Sequence, residues 1–436
     1  MSSRLDRAMT YLEGHVNLEA QDLSAEHAPT LDPVMRLADC MADPQRAQPV
    51  IQVTGTNGKG STTAVITALL MAHDVSVGTY TSPDLGRVNE RIACNGEPIG
   101  DEELSEALES IEELERLTGV RLSRFEVLTL AAFRWFAEIA VDVAVLEVGM
   151  GGRWDATNIA DATVAVITNI SNDHLDILGP TTTEVAMEKV GIVKPGTTLV
   201  MGELGPETAE LVVDIARKRG AGAIWRVGRD LSCRANESAV GGRLLDLITP
   251  DASYREVFLP LYGAHQGANA VLGLGAVEAF FGRPVEDDIV RLAFSNIEIP
   301  GRFEIVGRRP LMVVDGAHNP AGAASAVATL ADFHSEGYVL VVGMNRGRDA
   351  REMLESLEVS RARVVVVCEP DSPRAMPTAE IAEAAQSLGV ETIVVPRVGD
   401  AVSRAVLLAR PEEVILVTGS LYLVAEARDR RATDPA

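Results

Sequence analysis

Eight residues, GTNGKGST from Gly55 to Thr62, follow the apolar run Val50 to Thr54 and lead into a segment of helical character. Glycines at these places let backbone N–H groups face an anion, and the N-terminus of the following helix adds favourable partial charge. Lys59 supplies a point charge for the outer phosphates. Gly55, Thr56, Asn57, Gly58, Lys59, Gly60 and Ser61 are therefore candidate nucleotide-binding residues, and Ser61 or Thr62 offers a hydroxyl to magnesium. The string departs from G-x-x-x-x-G-K-[ST], because Val53 stands where the first glycine belongs and Gly60 follows the lysine. A glycine-rich turn without function is the plainer alternative; the strand–turn–helix setting favours the nucleotide. So does composition, since only Lys59, Lys189, Lys194 and Lys218 are lysines among 39 basic residues. Where arginine supplies positive charge generally, a retained lysine is a candidate for chemistry that arginine cannot do, with Lys194 and Lys218 read as chance survivors.

Two further apolar runs, Asp142 to Val148 and Thr163 to Ile170, end in polar residues: Glu147 just before GMGGR, and Asp173 with His174. Open α/β sheets keep ligands at such strand ends, so a carboxylate and an imidazole could converge over the loop and hold magnesium together with phosphate and water. Taken alone, His174 reads as a structural histidine. Lys189, in a helix from about Thr182 that also carries Glu184 and Glu188, reads as a surface ion-pairing lysine.

These residues need a frame, and the chain supplies one. The opening is a β-loop-α-β unit of parallel-sheet type, after a polar helical segment that ends near residue 48. Asp101 looks like an N-cap for a helix closed by Gly119, and Phe125 to Ala140 reads as a second helix. Residues 229 to 260 have β character. From about Gly301 strands near Leu311–Asp315, Tyr338–Gly343, Val364–Glu369, Thr392–Val395 and Val414–Gly419 alternate with helix-length segments. The fold class is α/β, with two doubly wound domains: residues 1–298 carrying the phosphate loop, and residues 299–436 forming a smaller Rossmann-like unit. The tail ARDRRATDPA is expected to be loose.

The 436 residues are 47% hydrophobic and 23% charged, an ordinary globular composition. A net charge of −24 counts against nucleic acid or anionic lipid as partners, which call for basic surfaces. The four cysteines, Cys40, Cys94, Cys233 and Cys368, lack metal-ligand spacing, and no apolar run is long enough to span a bilayer. The expectation is a cytoplasmic protein with reduced thiols and no membrane partner.

GTNGKGS resembles the phosphate loop of the Mur ligase superfamily, and the GKGS form resembles its folylpolyglutamate synthase/dihydrofolate synthase branch. Further blocks similar to that branch are TSPDLGRVNERI (81–92), RFEVLT (124–129), LEVGMGGRWDATN (146–158), NDH (172–174), EKVGIVKPG (188–196), PGRFE (300–304), DGAHNP (315–320) and VTGSLYLV (417–424). The resemblance implies an ATP- and Mg2+-dependent ligase joining L-glutamate to dihydropteroate or folate through an acyl phosphate, shielded from water by domain closure. A Mur-type ligase acting on a different carboxylic acid is the alternative. Ser82, Glu147 and His174 fall on the family's magnesium positions, and Lys189 on its carbamylated lysine. Asn269, Arg302 and Asp315 fall on ATP positions; from the residues alone Asn269 is a helix-start residue and Asp315 a strand-end residue. The pterin substrate is implied at Ser82, Asp84, Arg124, Phe125, Glu126, Trp154, Asp155 and Ala156, where Phe125 and Trp154 read equally well as core. The family commonly has SPHL where this chain has Ser82-Pro83-Asp84-Leu85.

Overall fold

The computed structural model describes residues 3–17, 30–171, 179, 181–332, 334 and 337–433, and these divide into two compact units. The first unit holds residues up to 237, 243–260 and 266–297; the second holds 238–242, 261–265 and 298 onward.

The first unit is built on a sheet of eight strands: β1 (Val50–Thr54), β2 (Val77–Tyr80), β3 (Ile92–Cys94), β4 (Glu97–Pro98), β5 (Val143–Glu147), β6 (Ala162–Ile167), β7 (Thr198–Met201) and β8 (Ala223–Arg226). Their order is β4-β3-β2-β5-β1-β6-β7-β8, parallel except where β3 pairs with β2 and β4. Every residue of β1 and β5 is buried, as continuous apolar strands covered on both faces should be. The chain leaves β1 toward β2 on one side and later returns to place β6 on the other. This reversal opens a crevice at the carboxyl ends of β5, β1 and β6, where α/β sheets place ligands. An antiparallel sheet, β9 (Ser232–Ala239), β10 (Gly242–Ile248) and β11 (Ser253–Leu259), accounts for the β character expected at 229–260.

The helix starts show how local chemistry fixes boundaries. Helix Asp101–Thr118 is capped by Gly100 rather than by Asp101, whose carboxylate instead accepts from Arg87 and Asn89, and Gly119 ends it at φ +70°. Helix Arg124–Glu138 begins one residue before the expected Phe125, because Ser123 and Glu126 form a reciprocal capping box. One buried carboxylate then holds that entry in place. Glu115 accepts from the Leu122 amide at 2.7 Å and the Tyr11 hydroxyl at 2.9 Å, and meets His15 Nε2 at 2.9 Å. Next along the chain, the Val16 carbonyl accepts the Arg124 amide at 2.9 Å.

The second unit has β12 (Glu304–Arg308), β13 (Leu311–Asp315), β14 (Tyr338–Val342), β15 (Ala362–Glu369), β16 (Thr392–Arg397) and β17 (Val414–Thr418) in the order β12-β13-β17-β14-β15-β16. Only β12 runs antiparallel, paired with β13. The last helix, Leu421–Thr433, extends into the tail expected to be loose.

A buried acid ties β11 to helix His265–Phe281. The Tyr254 hydroxyl lies 2.5 Å from Glu278 Oε1 and 2.7 Å from the Val285 carbonyl, yet it has one proton to give. The hydroxyl shares that proton between the two oxygens, Glu278 Oε1 also accepts the Val285 amide at 3.3 Å, and burial, against the pull of these donors, holds the carboxyl above the usual range. The native state then binds the carboxyl's proton more tightly than the unfolded chain, so stability present at acid pH is lost as pH rises through the raised value. Glu278→Gln imitates the neutral acid and removes that loss. Chemical denaturation at about pH 5 and about pH 8 should show the wild type weakening relative to the variant at the higher pH, and a pH-independent difference refutes the raised carboxyl.

Candidate active site

The loop Gly55–Gly58 leaves the buried end of β1 and enters helix Lys59–Met71 through Gly58, at φ +80°. The N–H groups of Lys59, Gly60 and Ser61 are first-turn donors that a helix cannot satisfy from within. Two glycines are required by their neighbours. A Cβ at Gly55 would lie 1.8 Å from Thr168 Oγ1, and one at Gly58 would lie 2.5 Å from Asn269 Oδ1. Asn269 is buried in helix His265–Phe281, where its amide donates to Gln266 and packs on the loop.

Both motif lysines turn to the same backbone oxygen. Lys59 Nζ donates to the Gly55 carbonyl at 3.2 Å, and Lys189 Nζ donates to it at 2.9 Å. Lys189 is 3% exposed, so the surface ion-pair reading fails. Of its acidic neighbours, Glu184 caps helix Thr182–Lys189 through Thr181, and Glu188 pairs with Arg153 at 2.6 Å. Tight backbone packing seats the lysine, since a Cβ at Gly152 would meet the Glu188 carbonyl at 2.7 Å. The other two lysines are structural, as expected. Lys194 caps the Asn158 and Ala160 carbonyls, and Lys218 pairs with Asp214 on the surface.

Glu147 completes the group. It pairs with Val53 across β5 and β1, is buried, and faces Gly60, where a Cβ would lie 3.6 Å from Oε2. The Ser82 amide donates to the same oxygen at 3.3 Å. Ser61 is buried one residue beyond Gly60, while Thr62 Oγ1 is buried with no hydrogen-bond partner. The crevice thus brings together Gly55–Ser61, Ser82, Glu147, Lys189 and Asn269. His174 and Asp173 lie outside the described residues.

Several expected pterin contacts are committed elsewhere. Asp155 is the clearest correction: its two oxygens accept from the amides of Gly149, Met150 and Thr157 and from the Thr157 hydroxyl, which fills a carboxylate's four lone-pair sites. Burial pushes its carboxyl up to about 6 against the pull of those donors. These bonds fold the GMGGRWD turn. Asp84 accepts from Arg91 Nε at 2.5 Å, so it partners a guanidinium that is 3% exposed. One Glu126 oxygen closes the capping box. Phe125 is half core, its ring 5.7 Å from that of Tyr80 and packed on Gly149; Trp154 is half-buried and Ala156 buried. Arg124 Nε is buried without a partner, so among these residues it has a donor to spare.

In the second unit, Asp315 joins the two expected motifs. It accepts from the Phe303 amide at 2.8 Å and the Ala317 amide at 2.9 Å, while Gly316 leaves room for the Arg302 guanidinium, 3.0 Å from where a Cβ would stand. Burial raises the Asp315 carboxyl, and Arg302 opposes the shift. His318 Nδ1 lies 2.9 Å from the Gly316 carbonyl, which makes Nδ1 the donor.

Residues 53–277 match the Mur ligase middle domain, and residues 301–421 match the glutamate ligase domain of Mur ligases. The dihydrofolate synthase/folylpolyglutamate synthase of Mycobacterium tuberculosis is 37% identical over 444 residues, covering 93% of this chain and 91% of that protein. The chain belongs to the dihydrofolate synthase/folylpolyglutamate synthase family. Its fold is similar to that of M. tuberculosis folylpolyglutamate synthase complexed with ADP, with a TM-score of 0.91, 35% identity and 99% of each chain covered. An FPGS–AMPPCP–folate complex gives a TM-score of 0.83 at 28% identity, covering 98% of this chain and 99% of that one. The expected α/β class with two doubly wound domains is borne out.

Sequence reasoning missed Thr168 and Asn169, which sit at the end of β6 and touch the phosphate loop. Their only signal was a polar pair closing a buried strand. The Asp84–Arg91 contact also redirects an expectation: Asp84→His removes the carboxylate that partners Arg91. The variant should lose on the order of 1–3 kcal/mol of stability, read by denaturant titration; a change in pterin affinity at unchanged stability would refute this structural role.

Proposed function

We propose that this protein is an ATP-dependent ligase that joins L-glutamate to dihydropteroate, to folates, or to both. The single observation that carries the reading is the convergence of Lys59 and Lys189 on the Gly55 carbonyl beside buried Glu147. Family membership and the likeness to folylpolyglutamate synthases bound to ADP or to AMPPCP and folate support the substrates. The substrate carboxylate attacks the γ-phosphorus of ATP and ADP leaves; the amine of glutamate then attacks the acyl phosphate, giving an amide and phosphate. The loop amides and Lys59 stabilise charge on the transferred phosphoryl oxygens. Asn269 packs on the loop, and Arg302 and Asp315 are assigned to ATP by the family positions that they match. Arg124, Phe125 and Trp154 line the pterin site, with Glu126 and Ala156 alongside. The protein works in the cytoplasm, with its four free cysteines reduced.

The residues fit magnesium. Glu147 presents a buried carboxylate whose Oε2 faces Gly60 in the first turn of the loop helix, a hard oxygen donor that suits the ion. Ser82, Ser61 and His174 would complete the protein's share, and the bound ion would neutralise phosphate charge.

Lys189 is read as carboxylated on its side-chain nitrogen. Both ammonium groups reach one oxygen, so they stand within about 6 Å of each other, a repulsion of roughly 3 kcal/mol at an effective dielectric near 20. Addition of carbon dioxide to the neutral amine releases a proton and replaces one cation with an anion. The carbamate nitrogen keeps one N–H, enough to maintain the bond to Gly55.

Three measurements test this reading. ADP release with dihydropteroate or tetrahydrofolate, offered separately, should require glutamate; release indifferent to both acids overturns the assignment. Lys59→Ala should lower turnover by ~10² or more in a folded protein. Lys189→Arg should be as inactive as Lys189→Ala, and acetate should partly rescue only the alanine variant; an active Lys189→Arg protein rules out the carbamate.

A further inference from the structure

The phosphate loop does not offer all its amides to a ligand, and the reason is a side chain the motif does not contain. Asn169 follows the end of β6 by two residues. Its Oδ1 accepts from the Asn57 amide at 2.9 Å and the Thr56 amide at 3.2 Å, and its Nδ2 donates to the Asn57 carbonyl at 3.0 Å. The partners fix which way the amide points, since two donors face its oxygen and an acceptor faces its nitrogen. The backbone adds to the hold: the Thr56 amide also reaches the Asn169 carbonyl at 3.1 Å. Thr168 Oγ1 donates to the same Asn57 carbonyl at 2.6 Å, and the Ser171 amide donates to Thr56 Oγ1 at 3.1 Å.

We infer that Asn169 is a positioning residue for nucleotide: it clamps the Thr56–Asn57 peptide to β6 and thereby leaves the amides from Gly58 to Ser61 as the loop's phosphate-facing donors. Both amides that point into the clamp are lost to the phosphate, and in exchange the next four are held still. A serine or aspartate could not serve, because neither accepts two N–H bonds while also donating one from a second atom. Preorganised donors are the means by which phosphoryl transfer is catalysed, so the clamp acts on nucleotide affinity without touching the nucleotide. The same strand end leads directly in sequence to Asn172, Asp173 and His174, so the residue that fixes the loop also begins the segment assigned to magnesium.

The inference rests on Gly55–Ser61 being the ATP site, and the test separates the two ideas. ADP binding is measured by calorimetry for wild type, Lys59→Ala and Asn169→Ala, alongside KM for ATP and for dihydropteroate. Asn169→Ala should weaken ADP binding and raise the KM for ATP by about tenfold, with the dihydropteroate KM unmoved. Thr168→Val keeps the side-chain shape and removes only the 2.6 Å bond to Asn57; it should shift the same two quantities in the same direction, by less, and it replaces the alanine variant should that fail to fold. If Lys59→Ala weakens ADP binding while neither clamp variant does, the positioning role is wrong and the ATP site stands. If wild type binds ADP no better than Lys59→Ala, the site assignment falls and the clamp with it. A rise in both KM values together would mark Asn169 as merely structural.

Discussion

One backbone oxygen organises the first unit. The Gly55 carbonyl takes ammonium groups from two of the chain's four lysines, brought from positions 130 residues apart in sequence by the folding of β1 against β6 and β5. Holding two cations this close is unfavourable unless an anion joins them, and the carbamate proposed at Lys189 supplies that anion. Everything near it serves the close approach. Gly55 lacks the Cβ that would strike Thr168, and Gly152 lacks the one that would strike the backbone beneath Lys189. In a protein of net charge −24, the loop amides and Lys59 remain the donors at this strand end, while the surface as a whole repels polyanions.

Much of this was legible because parallel strands buried on both faces have few alternatives. The apolar runs at Val50–Thr54 and Val143–Glu147 could only be central, and a polar residue closing such a run must stand at a sheet end. The loop and Glu147 followed from that reasoning, whereas Lys189 read locally as a surface ion pair and stood out only through the resemblance and the scarcity of lysine. What it left hidden was the direction in which polar side chains spend themselves. Asp155 looks the same in sequence whether it faces a ligand or four donors of its own turn, and Asp84 gives no sign that Arg91 lies beside it. Those facts depend on loop geometry, which has no period. Similarly, β12 escaped notice because a short edge strand with Gly307 in it carries little alternation, and Gly100 took the cap assigned to Asp101 because that carboxylate found stronger partners in Arg87 and Asn89.

Positioning by inert residues recurs through the unit. Glu115, far from any chemistry, joins helix Arg4–Glu13 to the entry of Arg124–Glu138 through His15, Tyr11 and Leu122, and so sets where Arg124 and Phe125 begin. Asp155 does the same for the turn that carries Trp154, and Asn169 for the loop itself. In each case one side chain with several acceptor sites takes at least one amide from a segment that has no regular structure to satisfy it. Irregular backbone next to a ligand is thus held by a few polar anchors, which leaves its remaining donors pointing outward.

The scarcity of lysine has a practical side. Lys189 is sealed in, Lys194 spends its amine on the Asn158 and Ala160 carbonyls, and Lys59 leans into the loop, whereas the Lys218 side chain is 73% exposed at the end of helix Pro206–Lys218. An amine-selective crosslinker or sensor-chip coupling therefore meets, chain terminus aside, one largely exposed lysine side chain. Molecules immobilised in this way share a single orientation, and Lys218 lies at the far end of a helix that carries none of the residues gathered around Gly55.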